Sequence, residues 1–348
     1  MSFLKNSFYK GMKALFKSFT PIYFSSVRVF GKENIPKNGG VVFSPNHQGA
    51  FLDPLLVGAF VPGNLFSLTR GDVFVPPYKW VFEAMQMLPV YRIRNGFSSL
   101  KNNDATFAKC HEILGRAQNI MMFSEGLHHK EMYLYPVSKG SSRLVFKAQQ
   151  KHPMTPLYLV PIGINYQDYN RPRKGLQLVF GKAIHIQPFL KQAEKEVHII
   201  NSIRESLTEG MKACLWIPEK EAHYGSKVTF IKKVDCKKSF ATIKQEVSEI
   251  TKHRRPKPSP KAIRLLNQLV RFPNFVPLWL TKKLIQQFKD PIFHGSVKYA
   301  AALFLFPLWY CVLGVALFGF YDMTTSLIVI FTSLLFLFMS SIIANSIN

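Results

Sequence analysis

A chain of 348 residues that is 47% hydrophobic and 14% aromatic has length for one sizeable domain plus additions, and is rich for a soluble protein. Its 45 Lys and Arg against 20 Asp and Glu leave a net charge of +25, which points to a polyanionic partner, either nucleic acid or an anionic membrane surface. Cys110, Cys214, Cys236 and Cys311 form no close pair and lack metal-ligand spacing, which argues against a disulfide framework or a zinc site and for a reducing, cytosolic setting.

In residues 1–24, Phe3, Leu4, Phe8, Met12, Leu15, Phe16 and Phe19 recur at helical spacing, with Lys5, Lys10, Lys13 and Lys17 between them. One apolar face with basic flanks predicts an amphipathic helix lying in a membrane interface. Docking on the domain's own core is the alternative. From residue 25 to 218, strand-like segments at Ser26–Phe30, Gly40–Phe43, Leu65–Thr69, Ile120–Phe123, Leu157–Gly163 and Leu176–Phe180 alternate with helical stretches at Asp53–Phe60, Ser98–Gln118 and Lys139–Gln150. Such alternation predicts a layered α/β domain around a mainly parallel sheet.

The stretch Ser44-Pro-Asn-His-Gln-Gly-Ala-Phe-Leu-Asp-Pro54 follows the apolar run Val41-Val-Phe43. Its proline ends the run, so His47 falls in a loop at a strand's end, where open α/β sheets place reacting groups. A neutral His can take a proton near pH 7, and a carboxylate on its other ring nitrogen would fix the tautomer. Asp53 is the candidate partner; its other reading is a helix N-cap, with Pro54 at the first helical position.

Downstream come Leu88-Pro-Val-Tyr-Arg92, Met122-Phe-Ser-Glu-Gly126, Ser138-Lys-Gly140 and Val160-Pro-Ile-Gly-Ile-Asn-Tyr166. In this order and spacing, over about residues 25 to 215, the chain resembles the glycerolipid acyltransferase superfamily, which includes the glycerol-3-phosphate and 1-acylglycerol-3-phosphate acyltransferases. The resemblance implies direct transfer of a fatty acyl group from a thioester to a hydroxyl, with His47 as general base paired to Asp53. It also implies Arg92 and Lys139 as phosphate binders and Glu125-Gly126 orienting the glycerol moiety, with Asn46 in the same block as a further substrate-binding candidate. Pro161 would shape a strand beside the acyl pocket. No metal and no resident cofactor are expected, acyl-CoA or acyl carrier protein being the co-substrate.

Two departures stand out. Five residues separate His47 from Asp53, where four are common in the family and relatives of the extended type often carry five. Ser124, Leu127, His128 and His129 replace residues usual in the third block; adjacent imidazoles cannot easily face one ion, so the pair is read as lining or rimming a headgroup pocket.

Residues 219–297 read as a basic, Pro-containing membrane-surface region, including the connector at Lys252-His-Arg-Arg-Pro-Lys-Pro-Ser-Pro-Lys and apolar segments at Ala262–Val270 and Phe275–Phe288. Residues 298–345 read as a transmembrane hairpin: Tyr299–Phe320 is uncharged for 22 residues, a second apolar run spans Leu327 to about Ile343, and Asp322 lies in the turn. Lys282, Lys283, Lys289 and Lys298 precede the first span and predict a cytoplasmic domain. The expected partners are a phospholipid membrane, an acyl donor and a lysophospholipid or glycerol-3-phosphate acceptor; basic residues beside apolar segments disfavour nucleic acid. The favoured reaction is acylation of 1-acylglycerol-3-phosphate. Acylation of glycerol-3-phosphate or of another lipid acceptor is the alternative, and a basic membrane-binding protein is the non-enzymatic one.

Overall fold

A computed structural model describes residues 3–91, 97–191, 195–251 and 271–346. The connector from Lys252 and the segment Ala262–Val270 lie outside the described residues. In chain order the elements are α1 (Phe3–Tyr23), β1 (Ser26–Phe30), β2 (Gly40–Pro45), α2 (Leu52–Phe60), β3 (Leu65–Arg70), α3 (Lys79–Ala84), β4 (Met87–Val90), α4 (Phe97–Gly115) and β5 (Asn119–Met121). There follow α5 (Gly140–Lys151), β6 (Leu157–Tyr166), β7 (Gly175–Phe180), β8 (Ile184–His185), α6 (Gln187–Leu190), α7 (Glu196–Ala213), α8 (Tyr224–Ile231) and α9 (Phe240–Ser248).

Eight strands form one mixed sheet, ordered β1-β7-β6-β2-β5-β3-β4, with β8 pairing β6. The run from β6 to β4 is parallel, as alternation with helices requires. Strand β7 turns antiparallel to β6, and β1 lies parallel to β7 at the edge. Because side chains alternate across a strand, neighbouring residues of β2 enter opposite cores. Val41 and Phe43 pack with Phe16 and Tyr23 of α1 and Leu52, Leu56 and Val57 of α2. Val42 faces the other way, toward α4, α5 and α7. The run reads as continuously apolar because both faces of this central strand are covered.

Helix α1 docks on the domain, its alternative sequence reading. Phe16 and Tyr23 enter the core, the Tyr9 hydroxyl accepts the Leu65 N–H at 3.0 Å, and Lys5 pairs with Glu83 at 2.6 Å. Lys13 reaches the Val61 carbonyl at 2.6 Å, just past the end of α2. Phe3, Leu4 and Ile22 remain exposed. The stretch after residue 219 also begins packed on the domain: α8 and α9 form a third core with Trp216 and Ile217, and the Gln177 amide of β7 donates to the carbonyls of Cys236 and Lys238 at 3.1 and 2.9 Å. Lysines dominate this stretch in composition, yet Ile231, Ile243 and Val247 supply a buried apolar face.

A helix over Phe275–Gln286 precedes a 28-residue helix, Phe293–Phe320, that is long and apolar enough to cross a membrane, with mean hydropathy 2.2 and 17% of its most apolar stretch buried. Asp322 caps the next helix, Met323–Ser346, accepting the Thr325 N–H at 3.0 Å and its hydroxyl at 2.6 Å. Gly314 on the first helix lies beside Ile330 on the second.

Candidate active site

Strand β2 ends at Pro45, and the chain leaves the carboxyl edge of the sheet through a loop that returns to α2. Asn46 pins this exit: its side chain accepts the Ile164 N–H at 2.6 Å and donates to the Ile164 carbonyl at 3.2 Å, stapling the loop to β6. Both ends of the Asn46 amide are therefore engaged by backbone at a position that is 2% exposed.

His47 and Asp53 meet, His47 Nδ1 lying 2.8 Å from Asp53 Oδ2. Asp53 is fully buried in the first turn of α2 and does not cap it. Its carboxylate instead accepts the Gly49 N–H at 2.8 Å and the Tyr166 hydroxyl at 2.7 Å. Gly49 is required there, since a Cβ would lie 2.6 Å from Asp53 Oδ1 and 2.9 Å from the Tyr166 hydroxyl. With burial the larger cause and Asp53 next, the Tyr166 phenol is held well above its ordinary value and stays a donor. A carboxylate so satisfied keeps the proton on Nδ1 and leaves Nε2 as the acceptor. The ring stacks on Phe123 at 3.9 Å and retains 16% exposure, so Nε2 can meet a substrate hydroxyl.

Glu125 also converges on this loop. Its Oε1 accepts the His47 N–H at 2.8 Å, while Oε2 takes the Tyr135 N–H at 3.0 Å and a bond from the buried His129 ring. With three donors the carboxylate holds the loop's backbone, a role beyond the glycerol contact that the resemblance implies. Gly126 follows at φ +71°, a left-handed turn that glycine adopts without strain.

The two adjacent imidazoles diverge. His129 turns inward, stacked on Tyr135 at 3.6 Å, and its chain N–H binds the His47 carbonyl at 3.1 Å. His128 sits on the rim, edge-on to His47 at 5.6 Å and 3.4 Å from Asp290. Burial, with His47 adding to it, holds the His128 imidazole below its ordinary value, so it is neutral near pH 7.

Lys139 immediately precedes α5, half-buried and with no side-chain cap bond at that helix start. A hydroxyl chain ties this start to the loop: Ser44 to Ser124 at 2.5 Å, and Ser124 to Ser141 at 2.6 Å. First-turn amides and an adjacent cation are the chemistry an anionic group needs. Arg92 lies outside the described residues. Pro161 stands in β6 opposite Ser44 and packs against Gly181 and Gly210.

Sequence reasoning passed over Tyr166 and Phe123. Tyr166 could have been found by counting in twos along β6, because Ile162, Ile164 and Tyr166 share the face that α2 covers.

The family model described as Acyltransferase matches residues 26–165, which hold His47, Asp53, Glu125 and Lys139. No curated protein matches the chain significantly. Solved structures that match include the crystal structure of the 1-acyl-sn-glycerophosphate (LPA) acyltransferase PlsC from Thermotoga maritima, 18% identical, with 59% of this chain and 78% of that chain covered and a TM-score of 0.43.

Proposed function

Because the chain carries an acyltransferase-family domain over residues 26–165, and so is an acyltransferase, we propose that it moves a fatty acyl group from acyl-CoA or acyl carrier protein to the free hydroxyl of 1-acylglycerol-3-phosphate, at the cytoplasmic face of a membrane. The observation that carries this reading is the 2.8 Å contact between His47 Nδ1 and the buried Asp53 carboxylate. His47 Nε2 takes the acceptor's proton as its oxygen attacks the thioester carbon, and the imidazolium is stabilised by Asp53. The tetrahedral intermediate then expels the thiolate, which takes the imidazolium's proton and returns His47 to its neutral form. Such a base is worth roughly 100- to 10,000-fold in rate.

Lys139 and the first-turn amides of α5 bind the acceptor's phosphate, with Arg92 as their expected partner from the second block. Arg suits the task because its planar fork pairs with two phosphate oxygens. The uncovered surface of Phe293–Phe320 supports membrane attachment, and the preceding lysines support a cytoplasmic domain.

The test gives purified full-length protein in detergent a radiolabelled acyl thioester and a panel of acceptors. Acylation of 1-acylglycerol-3-phosphate, or of glycerol-3-phosphate under the alternative reading, is expected. Acylation confined to phosphate-free acceptors would remove Arg92 and Lys139 from their assigned role.

A further inference from the structure

The loop between His47 and Asp53 is gripped from a distant part of the chain. Ser296, in the first turn of the helix Phe293–Phe320, donates its hydroxyl to the Gly49 carbonyl at 2.8 Å and accepts the Leu52 N–H at 3.1 Å. That amide also reaches Gly49 O at 2.9 Å, so the Ser296 hydroxyl completes a triangle across the loop. Gly49 is one peptide from the chemistry, because its own N–H binds the same Asp53 oxygen that holds His47.

The fit around this grip is close. Gly295 permits it, since a Cβ there would stand 2.4 Å from the Tyr169 carbonyl. Phe293 packs on Phe51 at 5.3 Å and on His128 at 5.1 Å, and Asp290 faces His128. The gripped loop is the one that carries five residues between His47 and Asp53, and its middle residue, Ala50, sits at φ +46°, a left-handed conformation uncommon for a residue with a Cβ. A long loop with such a residue needs support from outside itself to hold one shape.

We propose that Ser296 is a positioning residue for the reaction: the apolar C-terminal helix, beyond any anchoring role, is a structural member of the active site that fixes the His47–Asp53 loop. This rests on the reading of His47 as the base. The hydroxyl acts through the Gly49 peptide on the orientation of Asp53, and through Asp53 on His47, so its loss is felt in turnover more than in substrate binding.

The test measures kcat and both KM values for the full chain in detergent. Ser296→Ala is expected to lower kcat about tenfold or more, with each KM within about twofold and the thermal midpoint little changed. The isosteric pair Ser296→Thr and Ser296→Val separates hydroxyl from volume, and the Thr variant is expected to turn over several-fold faster. In hydrogen exchange, the Leu52 amide should open faster in Ser296→Ala than in the parent. Lys298→Met removes another docking bond of the same helix, to the Asn170 carbonyl at 2.8 Å, and is expected to leave kcat within about twofold. A Ser296→Ala kcat equal to the parent's, equal rates for the Thr and Val variants, or an equal loss in Lys298→Met would overturn the proposal. His47→Ala run alongside separates the failures: if it is inactive while Ser296→Ala is normal, only the grip is wrong, whereas an active His47→Ala sinks the base and the grip together.

Discussion

Asp53 is the residue on which the site turns, because it makes a buried charge useful by surrounding it. Three donors, from His47, Gly49 and Tyr166, meet its two oxygens at 2.7 to 2.8 Å. Removing the charge while keeping the shape should therefore be damaging. In Asp53→Asn, the oxygen shared by Gly49 and His47 can stay an acceptor and the amide nitrogen turns to the Tyr166 hydroxyl, so the tautomer is kept and the charge that stabilises the imidazolium is lost. We expect kcat to fall at least about 100-fold with the fold retained, as read by turnover alongside the thermal midpoint; a fall of less than about threefold would mean that the carboxylate charge does not matter. Both members of the pair were legible in the sequence, since a His just past an apolar run and an Asp six residues on are informative together. The alternative for Asp53, an N-cap, fails because its oxygens turn to the loop. Tyr166 was hidden as one more apolar position on an alternating strand. Ser296, 247 residues from Gly49, had no local signal.

Among the elements, α1 shows what periodicity does and does not tell. Its apolar spacing predicted an amphipathic helix, and a 21-residue helix is present. Which apolar medium covers the face is not contained in the spacing, because lipid and a protein core reward the same pattern. Lys5 and Lys13, which composition assigns to basic flanks, reach Glu83 and the end of α2. Burial, with repulsion from Lys17 second, lowers the Lys13 ammonium from 10.5 to about 8. Between pH 8 and 10.5 the folded chain releases this proton while the unfolded chain keeps it, so stability rises with pH across that window. Urea midpoints for the parent and Lys13→Met at pH 8 and pH 10 should show the parent gaining on the variant; parallel behaviour would place the ammonium in water. The strands missed in the sequence, β4 and β8, have four and two residues, too few for alternation to register. Strand β4 also carries Pro89, which reads as a breaker but is tolerated on a sheet's edge strand.

At the scale of the whole molecule, the net charge of +25 predicts a polyanionic partner, and the apolar C-terminus favours a membrane over nucleic acid in that reading. The α/β class followed from alternation, whereas the antiparallel turn of β7 depends on the short link after Tyr166, which allows a reversal but not a crossover. The apolar helix with Cys311 exposed on it makes the topology testable. Burial pushes the thiols of Cys110, Cys214 and Cys236 up to about 12, so they are poor nucleophiles near neutral pH. In intact cells, an impermeant maleimide should label Thr324→Cys, in the first turn of the helix Met323–Ser346, and spare Cys311 on the proposed membrane span. Labelling of Thr324→Cys only after the cells are opened would reverse the assigned orientation, and free labelling of Cys311 would place that helix in water.

The central claim is that His47 takes the proton from the acceptor hydroxyl, and turnover by His47→Ala tests it most directly. Purified parent and variant, given the same radiolabelled acyl thioester and 1-acylglycerol-3-phosphate in detergent, should differ by roughly 100- to 10,000-fold in acylated product, with matching thermal midpoints. A folded His47→Ala that forms product at the parent's rate would contradict the account.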